Sequence, residues 1–314
     1  MTENKIQLSF KVDKSLLLRE AISEYGISKK ALTSIKFEGG QIIVNGEEKT
    51  VRHILEKGDI VTIVFPKEKK SEGLIAEEMS FPILFEDEHL LVISKKDGIS
   101  TIPSREHPTG TIANGIAGYL EKNSSVSTVH IVTRLDKDTS GIVCIAKHRH
   151  AHHLMSEMQK AGSIFRTYEA IVHGSVEQDS FLIDAPIGRK DTSIIERRID
   201  PDGKQAKTFV EVIKRFTVNG ENLTHVRLKL FTGRTHQIRV HMMSVGHPLI
   251  GDDLYGGSLD IMSRQALHAK QLKLVHPFTK QALTIEDEYP MDMASVLEKA
   301  TIEKRINKLK INNE

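Results

Sequence analysis

The residues best suited to chemistry in this 314-residue chain cluster in one short stretch, Arg134-Leu135-Asp136-Lys137-Asp138-Thr139-Ser140-Gly141. An acidic residue between two cations, followed by Thr-Ser-Gly, has the composition of a tight loop. Apolar residues 129–132 and 142–146 flank it and predict buried strands, which make the loop a rigid mount for a reactive carboxylate. Arg134 is placed to favour the ionised form of Asp136. Taken alone, a polar turn carrying a surface ion pair is the simpler reading of these eight residues.

Two later segments add polar side chains to regular elements. Residues 165–174 read as a strand with Tyr168, Ala170 and Val172 on one face. Residues 232–252 contain a helix, with Thr235 as its N-cap, Ile238, Met242 and Val245 as its apolar stripe, and Gly246 and Pro248 as its stop. His148 and His152 have the spacing of a helical metal-ligand pair, but no cysteine and no fixed third ligand accompanies them, so surface histidines at a helix start are expected. A zinc reading of His236 and His241 fails on spacing and missing partners. The single cysteine, Cys144, lies in an apolar run and reads as a small buried hydrophobe.

Three blocks carry a family resemblance, and they occur in the family's order. Arg134-Leu135-Asp136 with Thr139-Ser140-Gly141, then Arg166-Thr167-Tyr168-Glu169-Ala170, then Gly233-Arg234-Thr235-His236-Gln237-Ile238-Arg239-Val240-His241, resemble the signatures of the RluA/RluD-type RNA pseudouridine synthases. The resemblance implies that Asp136 is the nucleophile, that Tyr168 packs on the target uracil, that Arg239 pairs with Asp136, and that Arg134 fills the gap left by an extruded base. A bidentate guanidinium suits the holding of a desolvated carboxylate. Three positions depart from the family pattern. Thr133 stands where histidine is usual, Arg166 where lysine is usual, and Lys96-Asp97 where the family turn has Lys-Pro. Thr133 is expected to alter positioning or RNA contact without loss of catalysis.

The N-terminal residues 1–66 read as a separate small α/β module. Residues 15–25 form a helix-like face ending at Gly26, and Ser28 caps a second helix that carries Lys29, Lys30 and Lys36 on the outside and Leu32 and Ile35 inside. A strand over 41–44, the turn Asn45-Gly46, Gly58-Asp59 and a strand over 60–65 follow. This order resembles the S4-type RNA-binding domain, and the resemblance implies that Lys29, Lys30 and Lys36 touch the RNA backbone. Residues 67–80 are polar and charged and read as a linker. Residues 291–314 form a basic helical tail, with Ile302, Ile306 and Leu309 on one side.

Composition bounds the rest. The length favours two domains. A content of 39% hydrophobic and 27% charged residues is ordinary for a globular chain. A formal net charge of +2 does not by itself announce nucleic acid, so an RNA surface must come from local clustering. One cysteine allows no internal disulfide and fits a reducing cytoplasm. No apolar run approaches the ~20 residues of a membrane span, and no signal core opens the chain.

The large domain, residues 81–290, is therefore expected to be α+β, with a mixed, mainly antiparallel sheet, packed helices and a central active-site cleft. The expected reaction is isomerisation of a uridine in structured RNA, ribosomal RNA first and transfer RNA second, by a cytoplasmic monomer with no cofactor or metal. Whether Asp136 attacks sugar or base stays open. Two other readings compete: a non-catalytic RNA-binding assembly or translation factor on the same fold, and a nucleoside hydrolase.

Overall fold

A computed structural model describes residues 6–68, 73–105, 107–123 and 128–300. The small N-terminal unit is built on a four-stranded antiparallel sheet in the order Gln7–Lys11, Ile60–Val64, Gln41–Val44, Glu47–Glu48. Helix α1 covers Leu18–Glu24 and α2 covers Lys29–Phe37. The first helix starts three residues later than its apolar pattern suggests. Leu16 and Leu17 instead pair as strand with Leu55 and Ile54. Ser28 caps α2, its Oγ accepting from Ala31 N at 3.1 Å. Asn45 and Gly46 both have positive φ, 50° and 88°, as a two-residue hairpin turn demands. Leu18, Ile22, Ile35, Val61 and Ile63 fill the core between helices and sheet.

The described part of residues 67–80 has neither helix nor strand but is bonded to the large domain. Glu68 reaches His130 Nε2 at 2.6 Å and the backbone N of Arg149 at 2.6 Å. Further on, the chain runs against α3, Ile112–Lys122. There Asn114 Nδ2 donates to Ile75 O and Glu77 N to Asn114 O. A Cβ at Gly118 would lie 2.1 Å from Glu77 O, so glycine is what permits this approach.

The large domain is α+β. Its main sheet runs Ser180–Asp184, Lys207–Val218, Glu221–Leu230, Phe165–His173, Leu267–Val275, Ser140–Ala146, Leu90–Lys95, Ile83–Glu86. Ala282–Glu286 and His130–Ile131 are added at the sides. Pairing is antiparallel except between Ser140–Ala146 and Leu267–Val275. Helices α3, α4 (Arg149–Lys160) and α5 (Gln237–Ser244) complete the described helices of eight or more residues with both ends in view.

Strand alternation sets the two layers. Tyr168, Ala170 and Val172 point into the main core with Ile116, Met155, Ile238 and Met242. Ile171, between them, points to the other face, where it meets Met293, Val296 and Ala300. Those three belong to a helical stretch, residues 291–300, that packs on the sheet. Ile302, Ile306 and Leu309 lie outside the described residues. Among the described residues, no helix is long and apolar enough to cross a membrane.

Candidate active site

The loop bearing Asp136 is held from every side. It ends in Ser140–Ala146, a fully buried strand. At the strand's first residues the chain pairs in parallel with His268 and Ala269. Gly141 has φ 112°. A Cβ there would lie 2.5 Å from both N and O of Ala269, so only glycine fits. On the other flank Thr133 Oγ1 accepts from Cys144 N at 2.9 Å. Thr133 is 4% exposed; it ties the loop to the strand. Thr101 Oγ1 accepts from Leu135 N at 3.1 Å and donates to Leu135 O at 2.8 Å. Thr139 N closes the turn onto Asp136 O at 3.1 Å.

Two buried cations complete the mount. Lys95 Nζ donates to Lys137 O, Lys96 O and Ile99 O at 2.7–2.8 Å. Burial pulls its pKa down to about 8, against the pull of Asp138, Asp97 and Asp136. Arg264 Nη1 donates to Asp138 O at 3.0 Å, while its Nε and Nη2 bind Asp292. In sequence, residues 95–98 read only as a turn. The signal for Lys95 is a lysine ending a mostly apolar strand, which is uncommon unless its ammonium has partners.

The third block forms α5 and the turn before it. Thr235 is not its N-cap. His236 holds that position with φ 56°, in the left-handed region. Gln237, buried, fastens the turn: its Oε1 accepts from Thr232 Oγ1 and Arg234 N, and its Nε2 donates to Lys207 O and Thr208 Oγ1. Nearly the whole helix is buried, from Gln237 to Met242, while Val245 is 39% exposed and leaves the expected stripe. Being at the C-cap rather than within the helix, Val245 turns outward. His241 serves the core, with Nδ1 at 2.9 Å from Thr208 Oγ1 and Nε2 at 3.0 Å from Ala185 O.

Arg239 comes to Asp136, but not as a bidentate partner. Its Nε and Nη2 each donate at 2.7 Å to the buried carboxylate of Asp252. Its Nη1 faces Asp136 Oδ2 at 3.6 Å. The ring of Tyr255 lies 4.8 Å from the guanidinium carbon, within the range of a cation–π contact. Burial works against the Arg239 charge, and the bonds from Asp252 outweigh it, so its pKa is raised. Asp252 and Tyr255 are missed by sequence reasoning, although Gly251-Asp252-Asp253-Leu254-Tyr255 follows closely on the third block.

Tyr168 is 5% exposed on Phe165–His173, which Leu267–Val275 separates from Ser140–Ala146. Burial pushes its phenol up in pKa, and the nearby Asp136 carboxylate adds to the shift. Asp136 and Arg239 face each other although 103 residues apart in sequence (239 less 136), and Tyr168 lies within the electrostatic reach of Asp136. Arg134 is exposed and makes no ion pair with Asp136. Leu135 between them is buried. Lys29, Lys30 and Lys36 are exposed on α2, remote in sequence from this site. Lys30 lines a cavity of about 780 Å³ between α2 and the start of α4.

Of the histidines at the start of α4, His148 and His150 are buried and His152 and His153 are half-buried. His148 and His150 are 2% and 3% exposed. His148 is the N-cap, its Nδ1 accepting from Ala151 N, and its Nε2 lies 3.0 Å from His89 Nδ1. Burial lowers their pKa to about 3 and about 4. Among the described residues no three His, Cys, Asp or Glu side chains converge to hold a metal.

Comparison with known proteins decides the family. The model of the RNA pseudouridylate synthase family matches residues 89–244. An uncharacterized RNA pseudouridine synthase of Bacillus subtilis, YjbO, is 49% identical over 282 residues, 90% of this chain and 98% of the relative. The chain belongs to the RNA pseudouridylate synthase family. It is an isomerase, an RNA pseudouridine synthase. The ribosomal large subunit pseudouridine synthase D of Pseudomonas aeruginosa is 37% identical, covering 82% of this synthase and 83% of the relative. Among solved structures, human RNA Pseudouridylate Synthase Domain Containing 4 matches with a TM-score of 0.57 at 22% identity, over 70% of this synthase and 93% of that chain. At that identity the match speaks for the fold. All three signature blocks fall within the matched residues.

Proposed function

We propose that this synthase converts one uridine of a structured RNA to pseudouridine, with Asp136 as the nucleophile. The observation that carries the reading is the geometry around Asp136: a carboxylate 28% exposed, on a loop fixed by its neighbours, facing an arginine that a second carboxylate already holds. The facing guanidinium sets a positive charge beside that carboxylate. Tyr168 supplies a flat face for an extruded uracil. Arg134, exposed next to the site, fills the gap in the RNA. Extrusion costs a few kcal/mol and is cheapest in loops, which favours a structured RNA with an accessible uridine. Substrate and product have the same composition, so the reaction calls for no redox partner or group donor.

Ribosomal RNA of the large subunit is the first candidate, supported by the names of relatives such as the Pseudomonas aeruginosa protein. An enzyme with such a substrate works in the cytoplasm. Residues 1–66 act as an S4-like RNA-binding domain, supported by the order of its helices and hairpin and by the exposed Lys29, Lys30 and Lys36.

The test is pseudouridine mapping of total RNA from cells with and without the gene, and from cells carrying Asp136→Asn. One site should disappear without the gene and stay absent with Asp136→Asn. A folded Asp136→Asn protein that restores the site refutes the nucleophile. Free uracil released in place of a new linkage would instead mark a hydrolase.

A further inference from the structure

Asp136 meets two nitrogenous neighbours through one oxygen. Arg239 Nη1 lies 3.6 Å and His236 Nε2 4.0 Å from the same Oδ2. His236 Nδ1 is 2.8 Å from the Tyr255 hydroxyl. That hydroxyl already accepts from Arg197 N at 2.9 Å. Tyr255 then either donates to Nδ1 or accepts a second bond from Nδ1–H. The second choice turns an Nε2 lone pair toward an anionic carboxylate; the first turns Nε2–H toward it. Electrostatics selects the first. The charged groups acting on this imidazole are Asp136, Arg239, Arg197 and Asp252, and burial favours its neutral form. The backbone supports the same reading. His236 has φ 56°. A non-glycine residue there is strained, and the strain aims a ring at the loop.

We propose that His236 is a positioning residue of the reaction: its Nε2–H, with Arg239 Nη1, holds Asp136 by Oδ2 and leaves Oδ1 as the attacking atom. This rests on Asp136 being the nucleophile. The Oδ1 lone pair forms the new C–O bond. If the sugar carbon is attacked, the glycosidic electron pair leaves with N1 of uracil. If a ring carbon is attacked, the ring double-bond pair moves onto the uracil carbonyl system, and the glycosidic pair still leaves with N1. In both routes the turned uracil bonds the sugar carbon through C5, C5 loses its proton, and N1 takes one up. In both cases the pair returns to Oδ1 when the C–O bond breaks, and Oδ2 keeps facing the same two nitrogens throughout. Tyr255 has no contact with the carboxylate in this scheme; it sets the tautomer.

Two substitutions separate this from a structural role. Asn tolerates the left-handed backbone and keeps an acceptor near Nδ1 but has nothing at Nε2. Gln reaches the Nε2 position with an amide N–H. Single-turnover pseudouridine formation and RNA affinity are measured for both on the full chain, beside Asp136→Asn. His236→Asn should slow the chemical step by on the order of ten- to a hundredfold with RNA affinity within about twofold, and His236→Gln should recover part of the rate. A His236→Asn rate within twofold of the parent overturns the proposal, as does a loss seen equally in both variants. An active Asp136→Asn would instead remove the nucleophile on which the proposal stands, so the two failures are distinguishable.

Discussion

Arg239 is bonded twice to Asp252 and approaches Asp136 without a short bond: 2.7 Å to each oxygen of one carboxylate, 3.6 Å to the other. The difference is chemically useful. A nucleophile gripped at both oxygens would have its lone pairs occupied by the ion pair. Here the full grip goes to Asp252, whose side chain has no exposure, and Asp136 receives the charge with its own oxygens largely free.

Asp252→Ala should therefore damage both stability and rate. It leaves a buried guanidinium short of a counter-ion, at a cost of about 3–5 kcal/mol, and lets Arg239 close onto Asp136. A lower urea midpoint and a single-turnover rate reduced more than about tenfold are expected. An unchanged midpoint would show that Asp252 does not hold Arg239 in solution.

Acid stability should depend on Glu169, which points from its strand to the face opposite Tyr168. Burial alone would raise its pKa, but hydrogen bonds from His225, Tyr289 and Arg227 outweigh burial and bring it to about 2. A carboxylate depressed in the folded state stabilises above its unfolded value near 4.3, and the benefit is lost as pH falls toward 2. At about 1.4 kcal/mol per pKa unit the loss is about 3 kcal/mol. Chemical denaturation between pH 5 and 2 should show this slope in the parent and a shallower one in Glu169→Gln. Equal slopes would remove Glu169 from the acid transition.

Replacing Lys29, Lys30 and Lys36 with Gln should weaken RNA binding and lower its dependence on log salt by roughly 0.7–0.9 per lysine that touches a phosphate. Filter binding from about 50 to 200 mM salt reads this directly. Single variants should separate Lys30, which lines the crevice beside α4, from Lys29 and Lys36. An unchanged slope in the triple variant would take α2 out of the RNA interface.

Local signals are legible where one residue dictates a backbone. Ser28 caps α2 as its side chain requires, and Asn45-Gly46 makes the hairpin turn. They are less legible where burial overrides pattern. Leu16 and Leu17 fit a helix face but are drawn into strand pairing by Ile54 and Leu55. Thr235 has a capping side chain, yet the cap falls at His236, where the turn is set by the buried amide of Gln237. His148 and His150 look solvent-seeking in sequence, yet α4 docks with that end inward.

The sequence by itself determined the family chemistry, because the residue types in the three blocks and their order are properties of the chain. It also determined the layered α+β build, since strand alternation and helix periodicity are local. Only the tertiary structure decided who holds whom. Which carboxylate takes both arms of Arg239 and which way the His236 ring faces depend on a few ångströms between elements far apart in the chain. Hydrogen bonds lose their strength over such distances, so no spacing along the sequence encodes them.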